Sequence, residues 1–179
     1  FGRKSLPNEW NAWQNSLPRV RDLVELAQLK DNMIALEYEV PYNQSRLDCL
    51  LFGKDLDGMF NMLLIELKQW SSVKSTTEEG NFVETFVGSM NRTVPHPSQQ
   101  VGGYDKYLRN FVAEFEGKSP IRLESCVYCH NYTKVAGEGL FAPEYNDVVE
   151  EYPVYTKEDA VLLGERIKRL LSKGEGFEV

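Results

Sequence analysis

Apolar residues follow two rhythms along this chain: a spacing near 3.6 that marks helices, and the alternating or continuous runs that mark strands. Pro7 and Pro18 each follow a Ser-Leu pair and suit the first turn of a helix, with Trp10, Trp13 and Leu17 recurring at helical spacing. This predicts two consecutive helices over residues 7–31, the second carrying Val20, Leu23, Val24 and Ala27 along one stripe. From Met33 the texture changes to Ile34-Ala35-Leu36-Glu37-Tyr38-Glu39-Val40, closed by Pro41, which reads as a strand. Two further strands are expected at Arg46 to Phe52 and Met59 to Lys68. The turn-forming segment Gly53-Lys54-Asp55-Leu56-Asp57-Gly58 joins them.

Residues 71–95 are rich in Ser, Thr, Glu and Asn and read as a long loop with at most one short strand, around Phe82 to Phe86. His96-Pro97-Ser98 then opens a helix whose apolar face is Tyr104, Leu108, Phe111 and Phe115, stopping at Gly117. Ile121 to Asn131 has strand character, 132–151 is loop-like and acidic, and Pro153-Val154-Tyr155 is a short strand. Thr156 with Asp159 three residues later forms a capping box that introduces a helix to about Ser172. Helices flanking a central strand cluster predict an α/β or α+β fold. The expected single domain has N-terminal helices over 7–31, a core over 33–131, and a final strand and helix over 152–173.

Length and composition narrow this further. A chain of 179 residues, 42 % of them apolar, supports one core but hardly two domains. No apolar run approaches the roughly 18 residues of a membrane span, and no basic-then-apolar leader opens the sequence. Three cysteines, Cys49, Cys126 and Cys129, make no disulfide framework. The expectation is a cytoplasmic protein without a membrane partner. With 20 Lys+Arg against 27 Asp+Glu, the net charge of -7 argues against gripping nucleic acid through overall charge and leaves room only for a local basic cleft. Phe1 in place of Met, and the glycine-rich exit after Lys173, read as a module cut from a longer chain at a linker.

The chemistry concentrates in Arg46-Leu47-Asp48 and Leu63-Leu64-Ile65-Glu66-Leu67-Lys68. Side chains alternate faces along a strand, so Glu66 and Lys68 point the same way, and Asp48 on the partner strand can meet them. An isolated Glu-x-Lys is ordinarily a surface pair on an edge strand. Here the run Met62-Leu63-Leu64-Ile65 is apolar on both faces and signals a strand buried on both sides. Two carboxylates and an ammonium in such a setting require pairing or a metal. A hard divalent cation such as Mg²⁺ or Mn²⁺ takes one or two carboxylates plus water and phosphate oxygens, and Asp48 with Glu66 is that pair. Lys68 beside it is placed to orient or deprotonate a nucleophile, or to stabilise charge building on phosphorus.

Arg46-x-Asp48, Ile65-Glu66-Leu67-Lys68-Gln69-Trp70 and Gln100-x-x-x-Tyr104 resemble the motifs of the PD-(D/E)XK nuclease superfamily. More closely, the segments Leu36-Glu37 to Pro41, Arg46-Leu47-Asp48, Glu66 to Trp70, His96-Pro97-Ser98-x-Gln100 and Cys129-His130-Asn131-Tyr132 resemble a bacterial family. In that family a nuclease-like N-terminal region precedes a superfamily 1 helicase of Schlafen-like type. The resemblance covers nearly the whole chain. It implies a restriction-endonuclease-like core, α/β with a central mixed β-sheet flanked by helices, and hydrolysis of phosphodiester bonds in nucleic acid, DNA ahead of RNA. It further implies Asp48 and Glu66 as metal ligands, with the Leu67 carbonyl and an acid from the first helix, Glu9 or alternatively Glu25. Lys68 and Gln100 complete the catalytic set, and Arg46, Ser98 and Tyr104 face the nucleic acid. Leu47 stands where the superfamily's name has Pro. No Gly-x-x-x-x-Gly-Lys-Ser/Thr occurs, so the implied helicase lies outside this chain. A role in defence against foreign nucleic acid follows from the resemblance alone.

Other groups carry less. Trp10, Trp13, Trp70, Tyr104 and Tyr107 have a spacing that packing explains better than base stacking. Cys126, Cys129 and His130 hint at zinc, but a second ligand pair is missing and buried strand cysteines are the simpler account. A cysteine nucleophile with His130 or His96 as base has no supporting signature. The acidic residues Glu144, Asp147, Glu150, Glu151, Glu158 and Asp159 read as a solvated surface.

Overall fold

The structure, a computed structural model, describes residues 7–40, 45–76, 81–111 and 121–175, without the side chains of 7–15 and 111. It is α/β. A five-stranded mixed sheet runs in the order β1 (Met33–Glu39), β2 (Arg46–Lys54), β3 (Phe60–Lys68), β7 (Arg122–Cys129), β8 (Val154–Thr156). The first three strands pair antiparallel, whereas β3 with β7 and β7 with β8 are parallel. This central sheet flanked by helices is consistent with a restriction-endonuclease-like core.

Strand alternation divides the core into two layers. Cys49, Leu51, Leu63, Ile65 and Cys126 face one side. There they bury Val20, Leu23 and Ala27 of α1 (Pro7–Ala27) and Leu163, Ile167 and Leu171 of α4 (Ala160–Leu171). Leu50, Phe52, Met62, Leu64, Val127 and Cys129 face the other side and pack on Val101 and Leu108 of α2 (Pro97–Phe111). Completely buried aliphatic side chains contribute about 1.5–3 kcal/mol each, so both layers are needed to hold β3 between them. All three cysteines are free and buried. No helix among the described residues is long and apolar enough to cross a membrane.

Three expectations need correction. The N-terminal segment forms one helix, not two, because α1 runs straight through Pro18. Pro18 forfeits one backbone bond, while the buried stripe from Val20 to Ala27 anchors the helix beyond it. The expected loop over 71–95 is a second, antiparallel sheet of β4 (Val73–Ser75), β5 (Phe82–Val87) and β6 (Met90–Pro95). Its hairpin turns at Gly88 (φ 60°) and Ser89 (φ 77°), the two left-handed residues a tight hairpin requires. Finally, the acidic stretch after Asn131 contains a short helix, α3 (Asn146–Glu151), besides two 3₁₀ turns.

The remaining elements fall close to expectation. The Thr156–Asp159 capping box is present, with Asp159 Oδ2 accepting the Thr156 N–H at 2.9 Å, and it starts a 3₁₀ turn that leads into α4. Phe115 and the expected helix end at Gly117 lie outside the described residues.

Candidate active site

Glu66 and Lys68 sit one pleat apart at the carboxyl end of β3, on the face toward α2. Extending the Cys49–Ile65 register by one residue brings Asp48 of β2 opposite Glu66. Asp48 Oδ2 accepts the backbone N–H of Leu67 at 2.8 Å, which fixes that carboxylate against the strand. Lys68 Nζ donates to Glu66 Oε1 at 2.6 Å and to Gln100 Oε1 at 2.9 Å. Gln100 in turn donates its Nε2 to the Tyr104 hydroxyl at 3.2 Å, across one turn of α2. Trp70 closes the outer side, its ring centroid 5.4 Å from Lys68 Nζ.

Glu66 is 1 % exposed, and its Oε2 is buried without a hydrogen-bond partner. Burial is the main influence raising the Asp48 carboxyl, the Glu66 charge adds to it, and together they push it up to about 7 against the pull of Lys68 and the Leu67 N–H. For Lys68 burial is again the largest influence and works to lower the ammonium's pKa. The charge and hydrogen bond of Glu66, joined by Asp48, outweigh it, and the net shift is upward. The cluster is therefore a buried carboxylate pair held by one ammonium, with an anionic oxygen left over. A divalent cation between Asp48 and Glu66 would satisfy that orphaned oxygen and release the proton from Asp48. These residues fit a metal.

Not every residue named from the sequence joins this cluster. Arg46 precedes Asp48 by one pleat but turns to β1, pairing with Glu39 at 3.3 Å and Glu37 at 3.8 Å. Ser98 is corrected: it is 0 % exposed and donates its hydroxyl to the Tyr152 carbonyl at 2.8 Å, so it anchors α2 and does not face a ligand. Glu25 is also corrected as a candidate ligand. It is exposed and lies 3.7 Å from Arg21 on α1, the helix packed on the opposite face of the sheet. The side chain of Glu9 lies outside the described residues, as do those of Trp10 and Trp13. Leu67 contributes its N–H to Asp48, and Tyr104 orients Gln100 from a half-buried position.

Cys129 lies beside Lys68 in the β3–β7 register, but burial pushes its thiol up to about 12, which leaves it inert. Cys126 is likewise raised to about 12 by burial. No group of three His, Cys, Asp or Glu suited to a metal occurs among the described residues. Arg19, His130 and Lys157 line a separate cavity that sequence reasoning missed. They come from α1, the end of β7 and the start of the last helical segment, so no local motif links them. Compared with known proteins, the chain matches no protein-family model, no curated protein and no solved structure.

Proposed function

We propose that the Asp48–Glu66–Lys68–Gln100 cluster is the active site of a metal-dependent nuclease that hydrolyses phosphodiester bonds, in DNA ahead of RNA. The observation that carries this reading is the Glu66 Oε2 atom, buried and without a partner, facing an Asp48 that burial and the neighbouring charge keep partly protonated. Asp48 and Glu66 are the residues that would hold Mg²⁺ or Mn²⁺, with the Leu67 carbonyl beside them. When bound, such a cation supplies Lewis acidity toward a phosphoryl oxygen and acidifies water.

The chain's own residues do the rest. Leu67 N–H holds Asp48 in place, so the carboxylate need not reorganise as charge changes nearby. Lys68, a cation in the resting cluster, stabilises negative charge developing on the phosphoryl oxygens once Glu66 is otherwise engaged. Gln100 keeps the ammonium aimed at that position, and Tyr104 keeps Gln100. A linked superfamily 1 helicase and a defence role belong to the same proposal and rest on the motif resemblance.

The test is cleavage of linear and circular, single- and double-stranded DNA and RNA with Mg²⁺ or Mn²⁺ against EDTA, for the wild type and for Asp48→Ala, Glu66→Ala and Lys68→Ala. Metal-dependent cutting abolished by each substitution is expected, and undiminished cutting in all three refutes the assignment. A second reading, a non-catalytic module that guides nucleic acid or binds a protein, is favoured by one observation. Only two carboxylates meet at the cluster among the described residues, with no third acid or histidine beside them. Saturable Mg²⁺ binding that disappears in Glu66→Ala separates the two readings, since a relic site would show none.

A further inference from the structure

Outside the Asp48 cluster, another buried polar atom without a partner borders a cavity. At the carboxyl end of β7, on the α1 side of the sheet, a cavity of about 610 Å³ is lined in part by Arg19, Asp22, Tyr128, His130, Asn131 and Lys157. Pockets for one small organic ligand span about 300–1,000 Å³. His130 is 5 % exposed, and its Nε2 has no hydrogen-bond partner. Asn131 Nδ2 donates to the Gln69 carbonyl at 3.2 Å, which identifies Oδ1 as the amide atom 3.2 Å from His130 Nδ1. Because Oδ1 only accepts, Nδ1 carries the ring proton and Nε2 is left as an acceptor. Burial keeps the ring neutral against the pull of the Asn131 bond, with the Arg19 charge assisting. The cavity thus offers a buried acceptor that a ligand donor would satisfy.

Two cations accompany it. Arg19 is 3.8 Å from Asp22, whose carboxylate also takes a 2.9 Å bond from Arg21 outside the cavity, and Lys157 is 3.8 Å from Glu158. Both contacts are longer than hydrogen-bonded pairs, and both cations are about half exposed, at 49 % and 51 %. Arg19 and Lys157 against Asp22 leave the lining net positive on a chain of net charge -7. The position matters as well. The His130 N–H bonds the Lys68 carbonyl at 3.1 Å, so the cavity begins one strand away from the catalytic ammonium. Lys68 and His130 project to opposite faces, and a ligand reaching both must cross the carboxyl edge of parallel strands, where ligands of α/β sheets sit.

We infer that this cavity binds one nucleotide unit of the strand whose phosphodiester lies at the Asp48 cluster. Its phosphate sits between Arg19 and Lys157, and a sugar hydroxyl or base N–H donates to His130 Nε2. The inference rests on the nuclease reading for the identity of the strand, but the binding itself needs no metal. It is therefore tested in EDTA, by fluorescence anisotropy of labelled single-stranded DNA and RNA hexanucleotides, with nucleoside 5′-monophosphates as competitors. Arg19→Glu and Lys157→Glu, both at exposed positions, are expected to weaken hexanucleotide binding at least tenfold, while Arg92→Glu on the β5–β6 hairpin leaves it unchanged. The ¹⁵N resonance of His130 Nε2 is expected to move on saturation. Wild-type affinity in both charge reversals, a stationary His130 resonance, or no binding at all overturns the subsite. Monophosphate binding at the site without hexanucleotide binding overturns the strand assignment. Binding retained with no cleavage under any metal condition refutes only the nuclease reading, whereas normal cleavage with unchanged KM in Arg19→Glu refutes only the subsite.

Discussion

Asp48 and Glu66 stand opposite each other on β2 and β3, where burial and the Glu66 charge together hold a proton on Asp48. Like charges in one buried site cannot both ionise cheaply, and a single ammonium, Lys68, neutralises only one of them. Without metal the pair therefore behaves as an acid that a divalent cation would displace.

This fixes a pH dependence. The Asp48 carboxyl rises from 3.8 to about 7 on folding, so the native state binds its proton more tightly than the unfolded chain does. Its contribution to stability is full below the unfolded value and is lost as pH rises through about 7. In EDTA, the stability of the wild type relative to Asp48→Asn should fall between pH 4 and 7, by at most about 1.4 kcal/mol per pH unit. Added Mg²⁺ should raise the melting temperature more at pH 8 than at pH 5, because the ligand must be deprotonated to bind. Denaturation across this range checks both expectations. A pH-independent difference from Asp48→Asn, or equal Mg²⁺ stabilisation at the two pH values, contradicts them.

The Lys68–Glu66 pair should be costly to break and cheaper to replace. Its side chains are 15 % and 2 % exposed, so Lys68→Met leaves a buried carboxylate without its cation, at a cost of about 3 kcal/mol at pH 8. Glu66→Gln with Lys68→Met removes both charges and should be more stable than Lys68→Met alone. Urea denaturation of the two single variants and the double variant gives the coupling directly. Additive losses would mean that the 2.6 Å contact carries no energetic weight.

What the sequence revealed follows from how local each signal is. Glu66, Lys68 and Asp48 stand out because the two-residue period of a strand fixes which side chains share a face, whereas Gln100 and Tyr104 enter only through the resemblance to the nuclease motifs. The second sheet was missed because β6 is polar and largely exposed, with no apolar alternation to read, although Gly88-Ser89 was an available turn signal. Ser98 enters only through the resemblance, and its actual partner, the Tyr152 carbonyl, lies 54 residues away, beyond the reach of any local signal. The cavity around His130 was invisible for the same reason, since Arg19, His130 and Lys157 meet only through the packing of α1 against the sheet.

His96 should oppose Asp48 over the same pH window. It is 0 % exposed, accepts the Ser98 N–H on Nδ1 at 3.1 Å, and donates from Nε2 to the Leu140 carbonyl at 3.2 Å. Burial lowers its pKa to about 4 despite the pull of that carbonyl. A depressed histidine contributes stability above its unfolded value of 6.5 and loses it as pH falls through about 4. The two slopes partly cancel in the wild type. Asp48→Asn should therefore lose stability on acidification from pH 6.5 to 4, and Asp48→Asn with His96→Gln should lose less. The His96 ring proton resonance should show no titration above pH 5, and a midpoint near 6.5 would contradict the assignment.

Gly102 and Gly103 are neighbours on α2 that should respond oppositely to alanine. A Cβ on Gly102 would stand 2.6 Å from the Tyr152 ring, whereas one on Gly103 meets nothing within 4 Å. Tyr152 is itself buried, which leaves its ring little room to withdraw, and its carbonyl takes the Ser98 hydroxyl bond at the start of α2. Gly102→Ala should destabilise the protein by about 1–3 kcal/mol through overpacking. It should also shift Gln100, two residues earlier, away from Lys68 and lower kcat more than it raises KM. Gly103→Ala should stabilise by up to about 1 kcal/mol, because alanine restricts the unfolded chain and suits a helix interior. Thermal melts of the two variants, with the cleavage assay alongside, provide the check. If both substitutions stabilise, or if Gly102→Ala cuts at the wild-type rate, α2 does not hold Gln100 in the way its packing on Tyr152 requires.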